Sequence, residues 1–212
     1  MAIRIVDGGP TRSRWVWIVA ATPALLVIHW IGHQSPAPLS FTLAFTLLGI
    51  LPFTLAAAVG LRHSDLGLGM GNLKLGLIVI SVGTPFAVLG GYVGAQNPAI
   101  QQAYPLDPNV TTAVAVFTVH ALLYLLYYIG FDFFFRGFLL FGLLPRFGPI
   151  ASNLFQAGLA TLVHVGKPTT ELIAAFPASL LFGYVTLRTG SIWYAVFGHW
   201  MVGLAMDWFI LR

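Results

Sequence analysis

The stretch Thr111-Thr112-Ala113-Val114-Ala115-Val116-Phe117-Thr118-Val119-His120-Ala121-Leu122-Leu123-Tyr124-Leu125-Leu126-Tyr127-Tyr128-Ile129-Gly130 contains no Asp, Glu, Lys or Arg. About 20 consecutive apolar residues are needed for a helix to cross the ~30 Å hydrocarbon core of a bilayer, and this run meets that length. The rest of the chain is built the same way. Of 212 residues, 58% are hydrophobic and 8% are charged, whereas soluble domains average about 45–50% apolar and about 25% charged. Six acidic and ten basic side chains cannot cover the surface of a water-facing globule of this size, so the solvent for most of the chain is lipid.

Working outward, further apolar runs lie at about 15–33, 38–60, 74–95, 148–164, 168–187 and 191–211. The segment Asp132 to Leu144 carries two charges and reads either as a continuation of the 111–130 span past Gly130 or as a helix near the interface, with Pro145 as its stop. The expectation is an all-α, polytopic membrane helix bundle of seven or eight transmembrane helices. Residues 1–14 form a short cytoplasmic tail and 15–212 a single membrane domain, with no internal repeat, low-complexity tract or linker.

The ten Lys and Arg residues orient this layout, because positively charged loops are retained in the cytoplasm. With the amino terminus inside, Arg4, Arg12, Arg14, Arg62, Lys74, Arg136, Arg146 and Arg188 fall at or near the cytoplasmic side, and only Lys167 and Arg212 fall opposite. The connections at 34–37 and 96–109 contain no Lys or Arg, as outer loops should. The first apolar run is long enough to remain as an anchor rather than a cleaved signal. The expected location is a bacterial inner membrane with the amino terminus cytoplasmic, and the formal charge of +4 reflects this distribution, with no nucleic-acid partner implied.

Function is sought among the polar residues inside apolar helices, where an ionisable group is costly and faces a partner or a cavity. They are Asp132 with Arg136; His164 with Lys167 and Glu171; His199 with Asp207; and, standing apart, His29 and His120. Asp132 and Arg136 are four residues apart on one helix face and can pair. His164 ends one span, Pro168 begins the next helix, and Glu171 lies in its first turn, where it either pairs with Lys167 or acts on something held by His164. His199, Gly203 and Asp207 recur at intervals of four. Two histidines and two or three carboxylates on three helices can therefore meet in one polar pocket. Without cysteine there is no thiolate chemistry. His164, His199 and a carboxylate match the ligand types of zinc, but no His-Glu-x-x-His spacing accompanies them, and a single His29 or His120 is a nonspecific signal for haem or chlorin. No cofactor is expected.

Phe131-Asp132-Phe133-Phe134-Phe135-Arg136-Gly137-Phe138-Leu139-Leu140 resembles the first motif of the CAAX-processing and bacteriocin-processing intramembrane proteases, the Abi family, in which two glutamates precede the arginine. Ala160-x-x-x-His164 resembles the second motif, Phe-x-x-x-His. Gly190-Ser191-Ile192-Trp193 followed by His199-x-x-x-Gly203 resembles the third, in which a polar residue follows the histidine. The resemblance covers about 110–212, and three motifs occur in order. It implies hydrolysis of a peptide bond within the membrane by carboxylate-activated water, with Asp132, Arg136, His164, Glu171, His199 and Asp207 as the catalytic candidates. The sequence departs from the family at Phe131, in the place of the first glutamate, and at Gly203, in the place of a polar donor of the kind that is worth about 2.7–4 kcal/mol when it stabilises an oxyanion. Two readings follow: a divergent protease whose base is Asp132, Glu171 or Asp207 and whose partner is a membrane-protein or peptide substrate; or an inactive member that serves as accessory subunit or assembly factor of a membrane complex.

Overall fold

The computed structural model describes residues 14–33 and 36–212, without the side chains of Arg14, Trp17, Ile28, His29 and 31–33. The expected tail and the side chain of His29 therefore lie outside the described residues. Helix α1 is Arg14–His33 and α2 is Leu39–Ala58. A 3-10 turn at His63–Leu66 leads to α3, Leu73–Ala95, then to a short α4, Pro98–Ala103. Next come α5, Val114–Asp132, a π-helical segment, Phe133–Phe141, and α6, Gly142–Leu162. Helices α7, Thr169–Thr189, and α8, Trp193–Ile210, complete the bundle. The chain is an all-α membrane helix bundle, with no strand among the described residues.

Among the described residues, four helical stretches are long and apolar enough to cross a membrane: Leu39–Ala58, Leu73–Ala95, Val114–Leu162 and Thr169–Thr189. This is fewer than the seven apolar runs: of α1 only Ile18–Val27 enters the count as an apolar helix, and two physical reasons account for the rest. Helix α8 carries His199 and Asp207, which lower its hydropathy. Val114–Leu162 counts as one helical stretch of 49 residues, although it is two helices that meet at a kink at Gly148, so two of the apolar runs fall in one stretch. Asp132 to Leu144 is thus a continuation of the preceding span, and Pro145 does not stop it. The break falls at Gly148, with φ 74°, a backbone conformation that glycine adopts without a Cβ penalty. Pro149 then restarts the helix where its missing N–H costs little.

The bundle's two ends are held by different loops. At one end, the 67–72 segment meets the α7–α8 connection: Asn72 N–H donates to Thr189 O, Ile192 N–H to Gly67 O, and the Trp193 indole to Leu68 O at 2.8 Å. Trp15 of α1 packs edge-on against Phe147. At the other end, Asn97 Nδ2 donates to Thr170 Oγ1 and Tyr104 reaches Glu171. The loops that the charge distribution assigns to one side therefore do lie together, and Lys167 shares the opposite end with the 96–109 connection. Arg136 is buried in the bundle's interior, next to Gly137, which lies against Leu66 of the 3-10 turn.

Close approach of backbones sets the core. A Cβ on Gly91 of α3 would stand 2.7 Å from the Ala205 Cβ of α8, and one on Gly130 of α5 would stand 2.7 Å from Ala44 O of α2; small residues allow such approach in membrane bundles. Every residue from Phe133 to Leu140 is buried, so the π-helical segment is enclosed on all sides. Helix α3 instead turns Leu77, Val82, Phe86 and Val93 outward, as a lipid-facing surface does.

Candidate functional site

Asp132 ends α5 and Arg136 lies in the first turn of the π-helical segment, a rare winding that is frequent at functional sites. Arg136 Nη1 lies 3.1 Å from Asp132 Oδ1, and its Nη2 donates to Ser179 Oγ of α7 at 3.3 Å. The other carboxylate oxygen, Oδ2, is 3.0 Å from His199 Nδ1. A carboxylate only accepts, so Nδ1 carries the hydrogen and the neutral ring keeps its lone pair on Nε2. The backbone carbonyl of Ser179 accepts from Gln156 Nε2 at 3.0 Å. The guanidinium lies over the rings of Phe131, Phe135 and Phe182 at 5.7–5.9 Å, and Asp132 and Arg136 are both 0% exposed. This is a sealed ion pair, extended on one side to His199 and on the other to α7.

A second polar cluster forms at the end of α6. His164 Nδ1–H donates to Ala160 O at 2.6 Å, one helical turn back, which leaves Nε2 as an acceptor. Nε2 faces Glu171 Oε1 at 3.8 Å, longer than a hydrogen bond. Burial, and then the nearby Lys167 ammonium, hold the His164 imidazole down at about 4. At neutral pH the ring is therefore uncharged and its approach to Glu171 is not an ion pair. Lys167 Nζ is 3.2 Å from Glu171 Oε1 and donates to Tyr104 Oη at 2.7 Å; Tyr104 O–H donates to the same Oε1 at 2.8 Å. Glu171 Oε2 has no protein donor. A small cleft of about 30 Å³, room for a water molecule or two, is lined by Leu26 and Trp30 of α1, Tyr127 and Phe131 of α5, and Val163, His164 and Lys167.

Phe131 separates the two clusters. Its ring centroid is 6.1 Å from that of His164 and 5.6 Å from that of His199. The candidates do not share one polar pocket: they occupy two sites on either side of an aromatic ring. Asp207 belongs to neither, and His120 does not stand apart. His120 Nε2 and Asp207 Oδ2 are 2.9 Å apart and fully enclosed, between Phe41, Phe117 and Tyr124. Gly203 has its own neighbour, since the Tyr128 hydroxyl fills the space that a Cβ there would need.

Sequence reasoning missed Tyr104, Ser179, Gln156 and the His120–Asp207 pair. Tyr104 has no local signal beyond preceding Pro105; Ser179 and Gln156 are ordinary polar residues until Arg136 is found between their helices. Among the described residues, no three His, Asp or Glu side chains converge as a metal-ligand set.

Residues 113–205 match the family described as Type II CAAX prenyl endopeptidase Rce1-like. The match begins just before α5, contains Asp132, Arg136, His164, Glu171 and His199, and ends short of Asp207. No curated protein and no solved structure matches the chain.

Proposed function

We propose that this chain, an integral membrane protein whose residues 113–205 belong to the CAAX-protease family, hydrolyses a peptide bond at the membrane with Glu171 and His164 as the water-activating pair. One observation carries the choice of base. Asp132 is committed through both oxygens to Arg136 and His199, and Asp207 to His120, whereas Glu171, held through Oε1 by Lys167 and Tyr104, keeps Oε2 without a protein donor and faces the uncharged His164, which lines the cleft. His164 Nε2 and the Glu171 carboxylate are two acceptors that can orient one water, which donates a hydrogen to each and turns its lone pair toward a carbonyl carbon. As the oxygen–carbon bond forms, Glu171 takes the proton and later returns it to the leaving amine. Lys167 Nζ, on the cleft wall, is the cation available to the tetrahedral oxyanion. The Asp132–Arg136 pair fixes His199 in the tautomer that leaves Nε2 free to accept a hydrogen bond from substrate.

The proposal puts the Arg62–Lys74 end in the cytoplasm of a bacterial inner membrane, a reading that the arrangement of basic residues supports. Cleavage of a membrane-bound peptide reporter in proteoliposomes tests the reading: Glu171→Gln and His164→Ala abolish it while the protein remains folded. Retained cleavage in Glu171→Gln removes Glu171 as base.

A second reading rests on Phe131. Its ring occupies the stretch between the two histidines where the family's motif carries its first glutamate, and an inactive accessory subunit or assembly factor has no need of a base there. That reading expects stoichiometric co-purification with a membrane partner, and complementation of a deletion strain by the His164→Ala, His199→Ala double variant.

A further inference from the structure

We infer that Tyr104 is a positioning residue for Glu171: its hydroxyl fixes one oxygen of the carboxylate and so sets the direction of the group beside His164. The inference rests on the reading of Glu171 as the water-activating carboxylate. Tyr104 lies outside the family match, in the connection between α4 and α5, yet it is 7% exposed because the loop folds over the start of α7. Its hydroxyl has two partners. It donates to Glu171 Oε1 at 2.8 Å and accepts from Lys167 Nζ at 2.7 Å, while Nζ lies 3.2 Å from the same Oε1 and 5.2 Å from the centre of the Tyr104 ring.

The closed triangle has a directional consequence. Oε1 is held by a neutral donor and a cation, so the carboxylate cannot rotate freely, and Oε2 is left without a protein donor. Without the phenol, Lys167 alone would hold the group, and a flexible ammonium fixes direction poorly. Burial and the Glu171 charge push the Tyr104 hydroxyl well above the usual phenol range, so it remains a donor throughout the working pH range. The ionisable groups around Glu171 are Lys167 and His164 from the α6–α7 turn and Tyr104 from the loop, with Tyr127 and Tyr128 of α5 behind them.

Loop docking is a separate task with a separate residue. Asn97 Nδ2 donates to Thr170 Oγ1 at 3.2 Å and touches none of the triangle, so the two roles can be dissected. Glu171 is the only glutamate in the chain, and a carboxyl-13C glutamate label therefore gives one resonance whose chemical shift reads this site. In detergent micelles at fixed neutral pH, Tyr104→Phe moves that resonance, because the carboxylate loses a hydrogen-bond donor, and it lowers kcat for reporter cleavage more than it changes KM. Asn97→Ala leaves both as in the parent. If Tyr104→Phe does not fold, 3-fluorotyrosine at 104, a stronger donor, moves the resonance in the opposite direction. A resonance indifferent to Tyr104, or moved equally by Asn97→Ala, overturns the inference whatever Glu171→Gln does to cleavage. Cleavage retained by Glu171→Gln removes the catalytic reading but leaves the Tyr104–Glu171 coupling intact.

Discussion

Asp132 and Glu171 each pair with a cation four residues away, each approaches a histidine, and they lie on either side of one phenylalanine ring, yet their surroundings are opposite. Asp132 and Arg136 are sealed among Phe131, Phe135 and Phe182, and both carboxylate oxygens have a partner. Glu171 and Lys167 have about a fifth of their side-chain surface exposed, and the second carboxylate oxygen has no protein donor. A carboxylate and a cation four residues apart thus serve two ends. A buried pair closed off from water holds helices together, whereas a carboxylate with an unpartnered oxygen, beside a histidine that lines a cleft, can do chemistry.

The largest effect expected from breaking this contrast is on turnover. Removing a positioned general base typically costs about 10²–10⁴-fold in rate, so Glu171→Gln reduces reporter cleavage by that factor with little change in melting temperature. The assay is single-turnover cleavage in proteoliposomes, and a variant within threefold of the parent refutes the assignment.

Asp132→Asn and Arg136→Gln act on stability instead. Each strands a charge or a fork of donors in the interior, a loss of about 3–5 kcal/mol for a buried pair. Thermal unfolding in detergent measures it, and melting with the parent would mean that the pair is hydrated.

A smaller effect comes from pH. The folded His164 is held at about 4, below its unfolded value near 6.5. Between these two values the unfolded chain binds a proton that the folded chain does not, so stability from this residue is present above about pH 6.5 and is lost as pH falls toward 4. His164→Gln flattens that part of the stability profile, by about 3 kcal/mol at most. An unchanged slope in the variant assigns the pH dependence elsewhere.

The mildest perturbation locates the open cluster relative to the membrane. The chain has no cysteine of its own, so a single cysteine at Ala99, on the loop that carries Tyr104, reports which water phase that end meets. Labelling from the outside of intact cells is expected, and labelling only from the cytoplasmic side reverses the orientation.

Composition and run length determined the membrane bundle, because a helix that crosses lipid must be apolar along about 20 residues whatever it packs against. The spacing of Asp132 and Arg136, and of Lys167 and Glu171, determined both local ion pairs, since residues four apart share a helix face. The motif order carried the resemblance to the CAAX-protease family, whose description matches residues 113–205. Partners distant in the chain were a different matter. That Asp207 meets His120 across 87 positions, that Asp132 meets His199 across 67, and that Tyr104 descends on Glu171 depend on which helix faces pack together. Periodicity names the faces of a helix but not the neighbour each one meets. The position of Phe131 between His164 and His199 was decided in the same way: the sequence placed an aromatic residue where the family's motif has a glutamate, and only the packing of α5 against α8 and the end of α6 made that ring the partition between a sealed ion pair and an open one.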